Sequence, residues 1–325
     1  MLIRSRRGWE LPESAATPED VYLNRRQAMG AGAMLLAGLG AGTLSSPAAA
    51  QRVGDVPDPS ASLYPAPRNP RYTLERPVTP EAKSSLVNNY YEFSYGKVVG
   101  PSMTRFQRRP WLVKIDGLVE KPQEMGIDDL FKKVKFEERL YRHRCVEAWS
   151  MAVPWTGFPM KDLVALAAPT SGAKYIKMET FLDPKVAPNQ RDFRYTWPYV
   201  EGLTLEEATN ELAFLVTGVY GKPAPNQFGA PLRLVLPWKY GFKSIKGIVR
   251  FTFTDKQPVS FWEQLQGSEY GFWANVNPKV PHPRWSQASE EDIATGERVP
   301  TVIFNGYGEY VADLYKGRET QKIWF

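Results

Sequence analysis

Twenty-eight of the 325 residues are proline, and they are scattered along the whole chain. Each one removes a backbone donor and fixes a dihedral, so it ends or kinks a regular helix. That argues against a mainly helical fold and for short elements joined by many loops. The hydrophobic share is 43%, with 13% aromatic, which is ample for a sizeable core and suggests one large globular domain or two small ones.

Between the prolines the elements are legible. Residues 111–119, WLVKIDGLV, alternate like a half-buried strand, and Ile127 to Phe131 reads as a short helix start with acids in its first turn. Residues 139–146 resemble a strand running into a loop, and residues 160–167 a short amphipathic helix. Residues 174–181, 212–220, 232–236 and 247–254 are β-branched, aromatic and aliphatic runs bounded by Gly, Pro or Asn, so each reads as a strand. Strands dominate and no regular βαβ alternation appears, which makes the class α+β, mixed and strand-rich. No internal repeat stands out.

The net charge of +6 is not concentrated in any long basic run; Arg105, Arg108 and Arg109 come nearest. A nucleic-acid protein would cluster its charge on one face. The balance reads instead as a solvated surface with a few anion-binding arginines and no nucleic-acid partner.

The N-terminus has the grammar of a sorting signal. Arg25 and Arg26 precede a run of Ala, Gly, Leu and Met from Met29 to Leu44, and Ala48-Ala49-Ala50 forms a small-residue cleavage site. Paired arginines directly before the apolar run point to twin-arginine export. The alternative, a membrane anchor, needs about 20 strongly apolar residues, and this run is short and glycine-rich. The expected organisation is a cleaved signal over residues 1–50, a Pro-rich leader over residues 51–80 and a single catalytic domain over residues 81–325, with a mature chain that does not span the membrane. Twin-arginine export carries folded proteins, and a common reason to fold first is a cofactor inserted in the cytoplasm.

An exported chain with one cysteine, Cys145, cannot form an internal disulfide. The thiol is then either buried and inert or reserved for chemistry. In RHRCVEAWSM, strand alternation puts Arg144 and Val146 on the opposite face, while Arg142 and His143 contribute positive potential that lowers a thiol pKa. A nucleophilic role needs a base, and only His143 and His282 exist; His143 shares the face of Cys145 but has no evident orienting partner. One Cys and two His cannot build a zinc or iron–sulfur site. A metal whose other ligands arrive with an organic cofactor needs only one protein thiolate.

Several blocks, in order, carry a specific resemblance: NNYYEF from Asn88, YRHRCVEAWSM around Cys145, PWTGFP from Pro154, KYIKMET ending at Thr180, FGAPLRLVLPWKYGFKSIK from Phe228 to Lys246, and YGFWANVNP followed by HPRWSQA. The chain resembles the sulfite-oxidase-fold molybdoenzymes, and most closely the MsrP family, the catalytic subunits of periplasmic protein-methionine-sulfoxide reductases. The likeness runs from the twin-arginine signal almost to the C-terminus. It implies a sulfite-oxidase-type molybdopterin-binding domain with one molybdenum-molybdopterin per chain. It also implies Cys145 as the molybdenum ligand, with Asn89 and Glu147 close to the metal's open face. Asn88, Tyr91, Glu92, Thr180, Arg233 and the Ser244-Ile245-Lys246 stretch match pterin-binding positions. The chemistry is reasonable: Arg233 and Lys246 suit the pterin phosphate, and backbone N–H groups of residues 244–246 suit an anion nest. In the family an asparagine directly precedes Gly-Ala-Pro where this chain has Phe228, so one pterin contact is either missing or supplied by Asn226 or Gln227.

The resemblance implies reduction of protein-bound methionine sulfoxide in the periplasm by oxygen-atom transfer. Electrons come from a haem-b membrane subunit of the MsrQ type, which this chain completes as a monomeric catalytic subunit. No Cys-x-x-Cys-His haem signature occurs here, so any redox reading needs an external donor. Sulfite oxidation on the same scaffold and a non-catalytic exported binding module are the rival readings. Taken singly, Trp149, Trp155 and Trp238 read as core or pocket wall, His143 as structural and His282 as a loop residue. Glu147 is either a proton donor, its pKa raised by desolvation beside the metal, or a buried partner for an arginine.

Overall fold

The computed structural model describes residues 58–318 and 321–325. The expected signal over residues 1–50 and the first part of the leader lie outside the described residues. Twelve strands are described: β1 (Leu112–Gly117), β2 (Gln123–Gly126), β3 (Glu137–Cys145), β4 (Trp149–Pro159), β5 (Tyr175–Thr180), β6 (Val200–Thr204), β7 (Phe214–Val219), β8 (Lys222–Pro223), β9 (Arg233–Val235), β10 (Ile248–Thr254), β11 (Ser289–Asp292) and β12 (Arg298–Pro300). The α-helices among these residues are short: α1 (Glu81–Ser84), α2 (Ile127–Phe131), α3 (Met160–Ala167), α4 (Leu205–Thr209), α5 (Phe261–Gln266) and α6 (Gly308–Val311).

The strands form two mixed sheets. One has the order β2-β1-β10-β5-β6, with β1 and β10 parallel. In the other, β4 is the hub, paired antiparallel to β3 and β7 and parallel to β11, while β9 pairs with β7. One hydrophobic core joins them, with Ile115, Ile176 and Phe251 from the first sheet and Val153, Leu215 and Leu234 from the second. The architecture is α+β, as its composition implies.

Local chemistry explains the helices. In α3 the apolar residues Met160, Leu163, Val164 and Ala167 fall at i, i+3, i+4 and i+7 and all are buried. It stops at Ala168, in the left-handed region (φ 47°), ahead of Pro169. Helix α5 starts on a capping box: Ser260 accepts from the Glu263 N–H, and Glu263 accepts from the Ser260 N–H.

The long central strand β4 has no sequence forecast, because Pro154, Gly157 and Pro159 read as breakers. Pro154 is tolerated because of where it falls on the edge of β4. Strand β11 covers that edge only at Trp149 and Ser150, and β7 covers it from Trp155 onward. Between them, Ala152 donates to the Thr79 hydroxyl instead, at 3.0 Å, and Pro154 needs no donor. At Gly157 the ladder bulges, and a Cβ there would collide with the Leu215 carbonyl.

The stretch from Asp58 to Pro80 is tied into this body. Asn69 N–H donates to Glu138 (2.8 Å), Thr79 N–H donates to Ala152 (2.9 Å), and Tyr72 is buried edge-on against Tyr141.

Candidate active site around Cys145

Strands β3 and β4 form a hairpin whose three-residue loop is Val146-Glu147-Ala148. Ala148 takes φ 61° and its N–H closes the turn on the Cys145 carbonyl at 3.1 Å. The register pairs Cys145 with Trp149 and His143 with Met151, so these four share one face; Arg142 and Arg144 share the other. That first face lines a cavity of about 500 Å³.

Ten of the eleven site residues read from the sequence line this cavity: Asn88, Asn89, Tyr91, Glu92, Cys145, Glu147, Arg233, Ser244, Ile245 and Lys246. They come from the segment before β1, the tip of the β3–β4 hairpin, β9 and the turn between β9 and β10. The exception is Thr180. It is buried behind the wall, and its hydroxyl donates to the carbonyls of Lys246 (2.8 Å) and Gly247 (3.1 Å), so it holds that turn rather than facing the cavity. The cavity also takes Trp262 and Gln266, one helical turn apart on α5. Gly241 closes on His143 so tightly that a Cβ would lie 2.6 Å from its Nε2.

Asn226 and Gln227 do not line the cavity; Asn226 is turned to the Phe106 carbonyl. Phe228 itself forms the wall, edge-on to Trp155, and its carbonyl accepts from Arg233 at 3.0 Å. Trp149 and Trp155 are cavity wall and Trp238 is core. His282 is more than a loop residue: it is buried and stacked on Trp285 at 3.9 Å.

The electrostatics correct two expectations. Arg142 does not face Cys145; with Arg144 it grips Glu290 on the opposite side of the strand. Burial, followed by the nearby Glu147 carboxylate, pushes the Cys145 thiol up to about 12; the Glu147 N–H, 3.5 Å from the sulfur, and then Lys97 and Arg144 offset this only in part. The free thiol is stored protonated. Glu147, conversely, is not a raised general acid. Burial works to raise its pKa, but Lys97 ion-pairs with it, Trp149 Nε1 donates to it at 3.0 Å and Asn89 at 3.3 Å, so it is held below the usual carboxylate value. Lys97 is the cation beside Cys145 and Glu147 that sequence reasoning missed. It lies eight positions past Asn89 in a loop, with no motif to mark it.

Away from the thiol the cavity wall is cationic. Arg233 is buried, yet it donates only to the carbonyls of Phe228, Leu234 and Ser244, and no carboxylate pairs with it among the described residues. Its pKa falls to about 10 through burial, and burial together with Arg233 depresses Lys246 as well. Burial pushes Glu92 up, with Lys246 opposing. The Trp155 indole N–H, on a cavity-lining residue, has no partner among the described residues. Buried cations and an idle donor are what an anionic, heteroatom-rich ligand requires. The donor set fits a phosphorylated pterin held near a single thiol.

The sequence model of the oxidoreductase molybdopterin-binding domain matches residues 100–262. The protein-methionine-sulfoxide reductase catalytic subunit MsrP of Pseudomonas syringae pv. tomato is 46% identical over 95% of this chain and 96% of its own length. The chain belongs to the MsrP family of molybdopterin-binding oxidoreductases. A crystal structure of the sulfane dehydrogenase SoxCD from Paracoccus pantotrophus matches at 19% identity and TM-score 0.44, covering 58% of this chain and 46% of that one. As an MsrP-family oxidoreductase, the chain uses a molybdenum-molybdopterin cofactor. No helix among the described residues is long and apolar enough to cross a membrane.

Proposed function

We propose that this chain is the periplasmic, molybdenum-dependent reductase of protein-bound methionine sulfoxide, with Cys145 as the metal's protein ligand. The observation that carries the reading is one cavity uniting the chain's only thiol with two buried cationic side chains, Arg233 and Lys246, of which Arg233 meets no carboxylate among the described residues. When bound, the cofactor supplies two-electron oxygen removal, by which a sulfoxide, two protons and two electrons become a thioether and water. Cys145 would hold the metal as its thiolate, the form in which a cysteine binds metal. Arg233 and Lys246 would hold the phosphate. Asn88, Tyr91, Glu92, Ser244 and Ile245 line the pterin's space, and Thr180 fixes the turn that carries Lys246. Asn89 and Glu147 border the thiol where the cavity meets solvent; Glu147 is 31% exposed, which leaves room for a side chain presented by another protein.

Residues 1–50 act as the twin-arginine signal, and residues 51–80 lead into the catalytic domain over residues 81–325. The natural substrates are oxidised periplasmic proteins, in which reduction restores a flexible apolar side chain. Electrons come from a haem-b membrane subunit of the MsrQ type, with this chain as the monomeric catalytic half of a heterodimer.

The test is molybdenum content and sulfoxide reduction, with a chemical electron donor, for wild type and Cys145→Ser. Loss of both in the variant is expected. Full metal retention in Cys145→Ser, or sulfite turnover without sulfoxide reduction, would sink the reading.

A further inference from the structure

Lys97 sits at the centre of the polar cluster beside Cys145. Its ammonium donates to Asn89 Oδ1 at 2.5 Å and ion-pairs with Glu147 Oε2. Asn89 Nδ2 in turn lies 3.3 Å from Glu147 Oε2 and 3.6 Å from Cys145 Sγ. The two ends of an amide are chemically distinct, one accepting and one donating, whereas an ammonium only donates. Lys97 therefore selects the oxygen end of Asn89 and leaves the N–H end for the sulfur. Reversing the amide would set two donors against each other and turn an acceptor towards Glu147. The Lys97 carbonyl accepts from the Asn88 N–H at 3.0 Å, which brings the loop carrying Lys97 back beside Asn89. With its side chain 41% exposed, Lys97 adds little packing.

We propose that Lys97 is a positioning residue: it locks the Asn89 amide so that an N–H is aimed at the Cys145 sulfur, and through that bond sets how strongly the sulfur donates to the metal it holds. The inference rests on the reading of Cys145 as ligand. A hydrogen bond to a coordinating thiolate withdraws electron density from it, and such bonds are one of the levers a protein has on a metal's potential. Without Lys97 the amide is free to rotate, the sulfur donates more strongly, the oxidised metal is favoured and the midpoint potential falls.

The experiment uses the full, molybdenum-loaded protein as wild type, Lys97→Met, Lys97→Arg, Asn89→Leu and the Lys97→Met/Asn89→Leu pair. Molybdenum per chain is measured first, then a redox titration follows the paramagnetic molybdenum signal. Lys97→Met and Asn89→Leu are each expected to keep the metal and shift the midpoint to lower potential. Lys97→Arg should restore it towards wild type, and the pair should fall no further than Asn89→Leu alone, because both changes break one bond. An unshifted Lys97→Met overturns the proposal, as do additive shifts in the pair, which would mean that Lys97 acts through its charge alone. Wild-type protein without molybdenum overturns the ligand reading beneath it instead.

Discussion

Arg144 and Arg233 are both buried guanidiniums within the strand framework of the site, and the fold completes them in opposite ways. Arg144 reaches Glu290 (2.5 Å), Gln287 (2.7 Å) and Thr301 (3.1 Å), and Arg142 shares the same carboxylate. Arg233 finds only three backbone carbonyls. Desolvating a charge is costly unless it is paired. A fold that neutralises one arginine with its own carboxylate and leaves another without has assigned them different work: the first fixes backbone, the second waits for an anion. Arg144 also donates to the Cys145 carbonyl, and Trp285 and Gln287 both donate to the Val146 carbonyl (2.8 and 2.7 Å), so the paired arginine belongs to a clamp on the hairpin tip.

The sharpest way to break this contrast is to remove the shared carboxylate. Glu290→Leu strands Arg144 and leaves Arg142 without its anion, and breaking a buried pair in this way costs about 3–5 kcal/mol. Chemical denaturation of the cofactor-free protein reads it directly. A loss below about 1 kcal/mol would mean that Arg144 is no better completed than Arg233.

Arg233→Met should do the converse. In the cofactor-free protein, relief of an unpaired buried charge offsets the carbonyls left idle, so stability should change much less than in Glu290→Leu. The loss appears on loading. A hydrogen bond to a charged group contributes roughly 1.5–3 kcal/mol, or about a 10- to 150-fold weaker hold on the anion. Molybdenum per chain after dialysis, compared with wild type, measures this.

The contrast also marks where sequence reading stops. Apolar periodicity found α3 and the strand around residues 112–117, and β-branched, aromatic and aliphatic runs bounded by Gly, Pro or Asn found those around 175–180, 214–219 and 248–254. Both missed β4, whose prolines are excused only by a gap between two partner strands that nothing local reveals. For the site, family blocks brought ten residues to one cavity, but they could not say which charges face it. Arg142, three residues before Cys145, was credited with lowering its pKa, yet it points away. Lys97, 48 residues upstream in an unmarked loop, is the cation that reaches Glu147. Charge placement depends on long-range packing, and one residue of strand alternation reverses it.

Lys246 gives a pH-dependent version of the comparison. Burial and then Arg233 hold its pKa below the ordinary lysine value of about 10.4, so the unfolded chain binds more protons than the folded one across that interval. Stability of the cofactor-free protein should therefore rise with pH there relative to Lys246→Met, which lacks the titration. Loading with an anionic ligand should flatten the difference by restoring the lysine's charge. Denaturation midpoints of the two proteins across alkaline pH, with and without cofactor, test it. A difference that falls as pH rises would place the lysine's charge in a favourable site already, and remove it from the class of Arg233.

The smallest effect belongs to an arginine that meets its carboxylate in water. Arg68 Nε lies 2.7 Å from Glu138, a geometry as good as that of Arg144, but its side chain is 41% exposed. Solvent and salt screen such a pair, and holding two long side chains together costs entropy, so Arg68→Ala should cost less than about 1 kcal/mol and less still at high ionic strength. The segment that carries it keeps its buried Tyr72 and its bonds to Glu138 and Ala152, and it should stay docked. Denaturation of Arg68→Ala beside Glu290→Leu separates geometry from burial. Equal losses would mean that ion-pair distance alone decides the energy, and the idle Arg233 would then owe nothing to its desolvation.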